Sequence, residues 1–146
     1  YDGHGNWPFN TAYAGTNGLQ GSVRRFASMD EIEAQIAEGV PVAITFGWGQ
    51  GQLTGAPLNR SPGHLAVVVG FDGQGNPIVN DPAAETNETV QRTYLRAELE
   101  SAWLGISGGT VYLIRPRASS RGPSWDPVLS AMVTHGRARA GRPRPR

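Results

Sequence analysis

Ile32 and Ile36 stand four residues apart, Met29 extends their stripe toward Ser28, and Gly39 follows. Apolar residues at that spacing share one face of a helix, and a glycine just beyond them suits its C-terminal stop. The pattern therefore predicts a helix over 29–38. Ser28-Met29-Asp30-Glu31 fits a capping box at its start, in which Ser28 accepts from a free amide and Glu31 reaches back. Pro41–Phe46 (PVAITF) is a β-branched run and predicts a strand, and Gly47–Gly63, rich in Gly, Gln and Pro, reads as a long loop. His64–Phe71 (HLAVVVGF) and Asn76–Asp81 (NPIVND) are apolar runs split by Asp72-Gly73-Gln74-Gly75, the signature of a β-hairpin. Leu65 to Val69 is apolar without alternation, which predicts a strand covered on both faces.

Weaker patterns complete the chain. Asn17-Gly18 marks a turn before a short strand over Gly21–Ala27, and Thr89–Tyr94 is a second weak strand. A short helix around Arg96–Leu104 is followed by Gly108-Gly109 and a closing strand, Thr110–Arg115 (TVYLIR). The opening Tyr1–Gly15 sets glycines around Trp7, Phe9 and Tyr13, and is expected to be irregular and pinned to a core, with one helical turn over Asn10–Ala14. Beyond Pro116 no apolar period persists. Residues 1–116 read as one domain and 117–146 as an Arg/Pro-rich tail expected to be disordered, save for a helical turn after Asp126-Pro127. There is no internal repeat.

At 146 residues the chain has room for one domain with a modest core. No apolar run reaches the roughly 18 residues that a membrane-spanning helix needs. The chain contains no Cys, which rules out disulfides and thiolate metal sites and leaves the redox compartment unread. It opens at Tyr1 without an initiator Met, a charged n-region or an apolar h-region, so a fragment or processed product is expected, with any targeting signal upstream. The net charge of +1 conceals an asymmetry: residues 1–114 carry five Arg against eleven acids, and residues 115–146 carry eight Arg against Asp126 alone. Every basic residue is Arg and none is Lys, which we read as a coding bias. The tail lacks aromatics interleaved with its arginines beyond Trp125, so a solvated extension is expected and no nucleic-acid partner.

Of three histidines, only His64 has a context. It begins the predicted hairpin and Asp81 ends it. Residues that face each other in an antiparallel pair have numbers of constant sum, so a turn over 72–76 places His64 opposite a residue between Asp81 and Ala84. Opposed residues project to one face with Cβ atoms roughly 5 Å apart. An imidazole beside a carboxylate is fixed in tautomer and raised in basicity, which is the general-base half of a nucleophilic triad. The same pair also fits a hydrogen-bonded strand edge with no chemistry, since Asn80-Asp81-Pro82 is a good turn in its own right. Gly47, Gly49 and Gly51 after a strand suggest a dinucleotide loop, but Thr54 stands where the third glycine is required and no helix is expected to follow. Asp2, His4 and His64 lack metal-ligand spacing, so no metal site is expected. Ser28 is already assigned to a cap, and nothing activates Ser61. Asn87-Glu88-Thr89 matches a glycosylation acceptor and carries no further argument.

Gly63-His64 leading into an apolar strand, Gly70-Phe71, a Gly turn and Val79-Asn80-Asp81-Pro82-Ala83 together resemble the His–Asp end of the bacteriocin-processing-endopeptidase-like family. These are papain-like cysteine peptidases related to the double-glycine leader peptidases. Gly5-Asn6-Trp7-Pro8-Phe9-Asn10-Thr11-Ala12, Ala102-Trp103 and Gly109–Arg115 are also similar to bacterial members, so the resemblance covers roughly residues 1–116. It implies an α+β fold, an antiparallel sheet with helices to one side. It also implies His64 as catalytic histidine, Asp81 as its orienting acid, a peptide or protein substrate, and no cofactor. The family places its nucleophilic Cys at the start of a helix, after an oxyanion-hole Gln, both N-terminal to the matched region. A chain without Cys is then either the C-terminal part of a complete peptidase or a degenerate, non-catalytic member that keeps a peptide-binding cleft.

Overall fold

Val42, Ile44, Phe46 and Trp48 occupy alternate positions of one strand, β2 (Val42–Trp48), and all four are buried, because alternate residues of a strand share a face. Around β2 the chain builds a six-stranded sheet in the order β1 (Leu19–Arg25), β6 (Thr110–Pro116), β2, β3 (Ser61–Phe71), β4 (Pro77–Asn80), β5 (Gln91–Thr93). Every neighbouring pair is antiparallel. The computed structural model describes residues 7–117, with the side chain of Trp7 outside that description. Asp2, His4 and the Asp126-Pro127 turn lie outside the described residues, as does the tail beyond Arg117.

Ala66, Val68, Val79, Val111 and Leu113 join the β2 stripe on one face of the sheet, and two helices cover it. Helix α2 (Met29–Ala37) brings Met29 and Ile32, and α3 (Arg96–Ser107) brings Leu99 and Trp103. The helices are tied to each other and to the sheet. Arg96 pairs with Asp30 and Glu33 of α2, and the Met29 N–H donates to Glu100 Oε1 at 2.6 Å. The Trp103 indole N–H donates to Thr110 O at 2.9 Å, and Gly108 ends α3 in the left-handed region at φ +58°, where glycine carries no Cβ penalty. The fold is α+β: an antiparallel sheet with flanking helices.

A third helix lies on the opposite face. Instead of an irregular segment with one helical turn, residues 7–16 form α1 (Trp7–Thr16) over β1 and β6. Gly21 permits the approach, since a Cβ there would stand 3.0 Å from the Thr11 Cα, and Asn10 Nδ2 donates to the Tyr112 hydroxyl at 3.3 Å. The helix left no periodic stripe in the sequence because, among its described side chains, Phe9 is 71% and Tyr13 72% exposed, and only Ala14 is buried. Pro8 falls in its first turn, where the missing N–H costs nothing.

Other boundaries shift for similar reasons. Gly47, Pro62 and Gly63 disguised strand ends: β2 runs on to Trp48 and β3 starts at Ser61, with Trp48 and Ser61 as ladder partners. Thr89 belongs to a single 3-10 turn, Asn87–Thr89, and α3 continues to Ser107. The capping box at Ser28 is not formed. Ser28 makes no side-chain cap bond, and Glu31 Oε1 accepts instead from the Ala27 N–H at 2.9 Å, while Glu100 takes the Met29 amide, the first of the helix. Leu65–Val69 is covered on one face only. Ala66 and Val68 are buried, Leu65 is 44% exposed and Val67 and Val69 are half-buried, because α1 sits over β1 and β6 rather than over β3.

Candidate active site

The hairpin turn between β3 and β4 is closed by its own aspartate. The Asp72 N–H donates to Asn76 O at 2.9 Å, and the Asp72 carboxylate accepts the Gln74 and Asn76 amides. The Asn76 amide above all lowers the Asp72 carboxyl below the ordinary value, against an opposing rise from desolvation. From this turn the ladder pairs Phe71 with Pro77 and Gly70 with Ile78, then shifts to pair Val68 with Val79 and Val67 with Asn80. Val69 is the extra residue of that bulge. Continued, this register would set Ala83, not Asp81, opposite His64. The ladder stops at Asn80, however, and the chain leaves it: the Asp81 N–H donates to Val90 O at 2.8 Å and the Ala84 N–H donates to Asp81 O at 3.2 Å.

Ala83 lies within the expected span from Asp81 to Ala84, but no ladder pair forms there. The ladder partner of His64 is Phe46 on β2, and Asp81 reaches His64 from the turn beyond β4. The result is a short contact, His64 Nε2 to Asp81 Oδ1 at 2.7 Å. Asp81 is fully buried, and three groups hold its carboxylate. Oδ1 also accepts the Ala83 N–H at 2.9 Å, and Oδ2 accepts the Tyr94 hydroxyl at 2.7 Å. Burial pushes the Asp81 carboxyl up, but the Tyr94 hydroxyl, the Ala83 amide and His64 together outweigh it and hold the group below the ordinary aspartate value. Burial and the bond to Asp81 raise Tyr94, which stays a proton donor.

Aromatic rings fix the imidazole from the sides. The His64 ring meets Phe46 at 5.3 Å and 85° and Trp48 at 5.5 Å and 83°, while those two rings stack on each other at 5.4 Å. The Trp48 indole N–H is anchored on Leu58 O at 3.1 Å. With Nε2 given to Asp81, Nδ1 is the ring nitrogen left to exchange a proton, and no described residue hydrogen-bonds it. Beside Trp48, a groove of about 580 Å³ opens between α3 and the turn after β2, lined by Gly47, Gln52, Glu98, Ser101, Gly105 and Ile106. Thr54 fixes Glu98 there through its amide at 2.7 Å and its hydroxyl at 3.1 Å. The hydroxyl of Ser61 is spent on Gly63. Among the described residues neither Ser61 nor Ser28 bonds to His64, and no three His, Asp or Glu side chains gather as metal ligands.

Against this geometry stand the comparisons with known proteins. The model of the Peptidase_C39 like family matches residues 1–111. The chain belongs to that family. As a Peptidase C39-like member it is a cysteine-peptidase-like domain of papain-like character, in a chain that holds no cysteine. A solved structure described as that of a C39-like peptidase from Bacillus anthracis shares the fold with a TM-score of 0.53 at 15% sequence identity. The match covers 77% of this chain and 58% of that one, so the chain spans little more than half the length of the solved structure. No curated protein sequence matches it. No helix among the described residues is long and apolar enough to cross a membrane.

The sequence pointed to His64 and Asp81 but not to the residues around them. Tyr94 ends a weak predicted strand, Phe46 ends the predicted strand Pro41–Phe46, and Trp48 falls in the stretch read as a loop. A tyrosine on the strand next to the Asp-bearing turn was the one available signal, and it becomes specific only once β5 is known to pair with β4.

Proposed function

We propose that His64 and Asp81 are the general base and the orienting acid of a site that hydrolyses peptide or closely related amide bonds, with the thiol supplied from outside these 146 residues. The observation that carries this reading is the 2.7 Å bond from His64 Nε2 to a fully buried, ionised Asp81. Nδ1 accepts the thiol proton, and the thiolate attacks the carbonyl carbon of the substrate. As the C–N bond breaks, Nδ1–H returns the proton to the leaving amine, and a water activated by the same nitrogen then releases the acyl group. Asp81 stays ionised throughout and stabilises the imidazolium. The reaction needs no cofactor, and its partner is a peptide or protein substrate. Residues 1–116 form the peptidase-like part on this reading, with 117–146 a tail outside the site.

The absence of Cys favours a second reading, a peptide-binding or regulatory module that keeps the cleft without the chemistry. The full product of the gene separates the two. Cleavage of a peptide library that is blocked by iodoacetamide and abolished by His64→Ala supports the peptidase. A full product without Cys, or cleavage that survives both treatments, overturns it.

A further inference from the structure

A carboxylate at the end of an aspartate turns easily about its last bond, since that torsion is broad and two-fold. At Asp81 the near oxygen carries two bonds, from His64 Nε2 and from the Ala83 amide. Among the described residues the far oxygen carries only the Tyr94 hydroxyl, at 2.7 Å, inside a fully buried environment. Without that donor, Oδ2 would be a buried anionic atom with nothing to satisfy it, and such a group protonates or rotates to find a partner. Either response loosens its hold on His64.

We infer that Tyr94 is a positioning residue for the pair: its hydroxyl clamps the far oxygen of Asp81 so that the near oxygen stays turned toward His64 Nε2. The clamp is rigid. Tyr94 is 1% exposed and part of the core cluster, and its N–H donates to Pro77 O at 3.1 Å, which ties the backbone to the start of β4. The direction of the bond is fixed as well, because burial and the anion beside it hold the phenol proton on Tyr94 while Asp81 is ionised. Arg92, two residues earlier on β5, acts on the hydroxyl electrostatically and anchors the loop after β2 through Gly55 O at 2.9 Å. Among the described residues, the ionisable groups that face Asp81 are thus His64 from β3 and Tyr94 just after β5, with Arg92 acting on the tyrosine.

This assignment rests on the reading of His64 and Asp81 as base and orienting acid, but its test reads Asp81 directly and needs no thiol. In the 146-residue chain, the carboxyl carbon of Asp81 is followed by NMR through an acid titration. The wild-type chain is compared with Tyr94→Phe and with 3-fluorotyrosine placed at 94, whose hydroxyl is the stronger donor. Tyr94→Phe is expected to raise the Asp81 titration midpoint by about one pH unit or more, and the fluorinated ring to lower it. Ile32→Val, which loosens the same core without touching Asp81, is expected to leave it in place. If the Phe variant does not fold, the fluorotyrosine carries the test. A midpoint unmoved by both changes, or moved as far by Ile32→Val, overturns the clamp. A full gene product that fails to cleave peptides removes the peptidase reading and leaves this measurement standing.

Discussion

Phe46 and His64 are register partners on neighbouring strands, and their rings meet edge to face at 5.3 Å. The imidazole therefore lies on the same side of the sheet as the buried ring of Phe46, two residues before Trp48. Phe46→Ala empties one wall of the imidazole site and opens a cavity in the core. A loss of about 3–5 kcal/mol is expected, large against the roughly 5–15 kcal/mol of a typical domain. Urea unfolding of the two proteins checks this, and a loss below about 1 kcal/mol would show that the ring does not seal the core.

Acid should weaken the fold through Asp81. Its carboxyl lies below the ordinary value of 3.8 in the folded chain, so its contribution is complete above the unfolded value and is lost as pH falls through the lower folded one. Stability measured by denaturant titration should fall as pH drops from about 4 toward 2. In Asp81→Asn that slope should flatten, from a lower starting stability. Equal slopes in both proteins would show that other carboxylates govern acid unfolding.

Two glycines should respond to alanine in opposite directions. Gly109 has φ +80°, and a Cβ there would stand 1.9 Å from Phe26 O, whose residue also donates its amide to Gly109 O at 2.9 Å. Gly109→Ala should cost at least about 3 kcal/mol from backbone strain and collision. Gly15 lies inside α1 with nothing within 4 Å of a new Cβ and no positive φ. Gly15→Ala should stabilise by about 0.5–1 kcal/mol. Thermal melts of the two variants give the comparison.

The half-open sheet face should be visible to an apolar dye. Leu65 is 44% exposed, and Val67 and Val69 on the same face are only half-buried. Contiguous apolar surface of this kind attracts partners and dyes. Leu65→Thr puts a β-branched, strand-favouring residue in place of the leucine and should lower binding of anilinonaphthalene sulfonate to the native chain while changing stability by less than about 1 kcal/mol. Unchanged dye binding would place the sticky surface elsewhere.

Without a thiol, the 146-residue chain should neither take up iodoacetamide nor hydrolyse peptides. Mass spectrometry after alkylation and a fluorogenic peptide assay test both, and turnover by this chain alone would point to a nucleophile other than cysteine.

Where local pattern and final packing agreed, the sequence was legible. The Met29, Ile32, Ile36 stripe became the buried side of α2, and the two apolar runs around Asp72–Gly75 became β3 and β4. His64 and Asp81 stood out because they bracket that hairpin. What stayed hidden depends on partners distant in sequence. Helix α1 owes its place to Gly21 and Tyr112, not to an apolar stripe of its own. Glu100 satisfies the first amide of α2 from another helix, a contact that no neighbouring residue announces. Tyr94 reaches Asp81 only because β5 pairs with β4, and a three-residue strand, Gln91–Thr93, carries almost no pattern.

The sheet order also sets a timetable. His64 and Asp81 are 17 residues apart, and the hairpin between them closes a short loop at small entropic cost. Strand β1 sits at the edge and touches the sheet through β6 alone, with Leu19 against Pro116 and Arg25 against Thr110. On a ribosome that delivers the chain from its N-terminus, β1 emerges early and waits through the synthesis of four strands before its partner exists. The hairpin has no such wait. Residues that carry the candidate chemistry can meet while the edge of the sheet is still unpaired, so an arrested or shortened chain lacking β6 leaves β1 without its neighbour and keeps the hairpin contacts local.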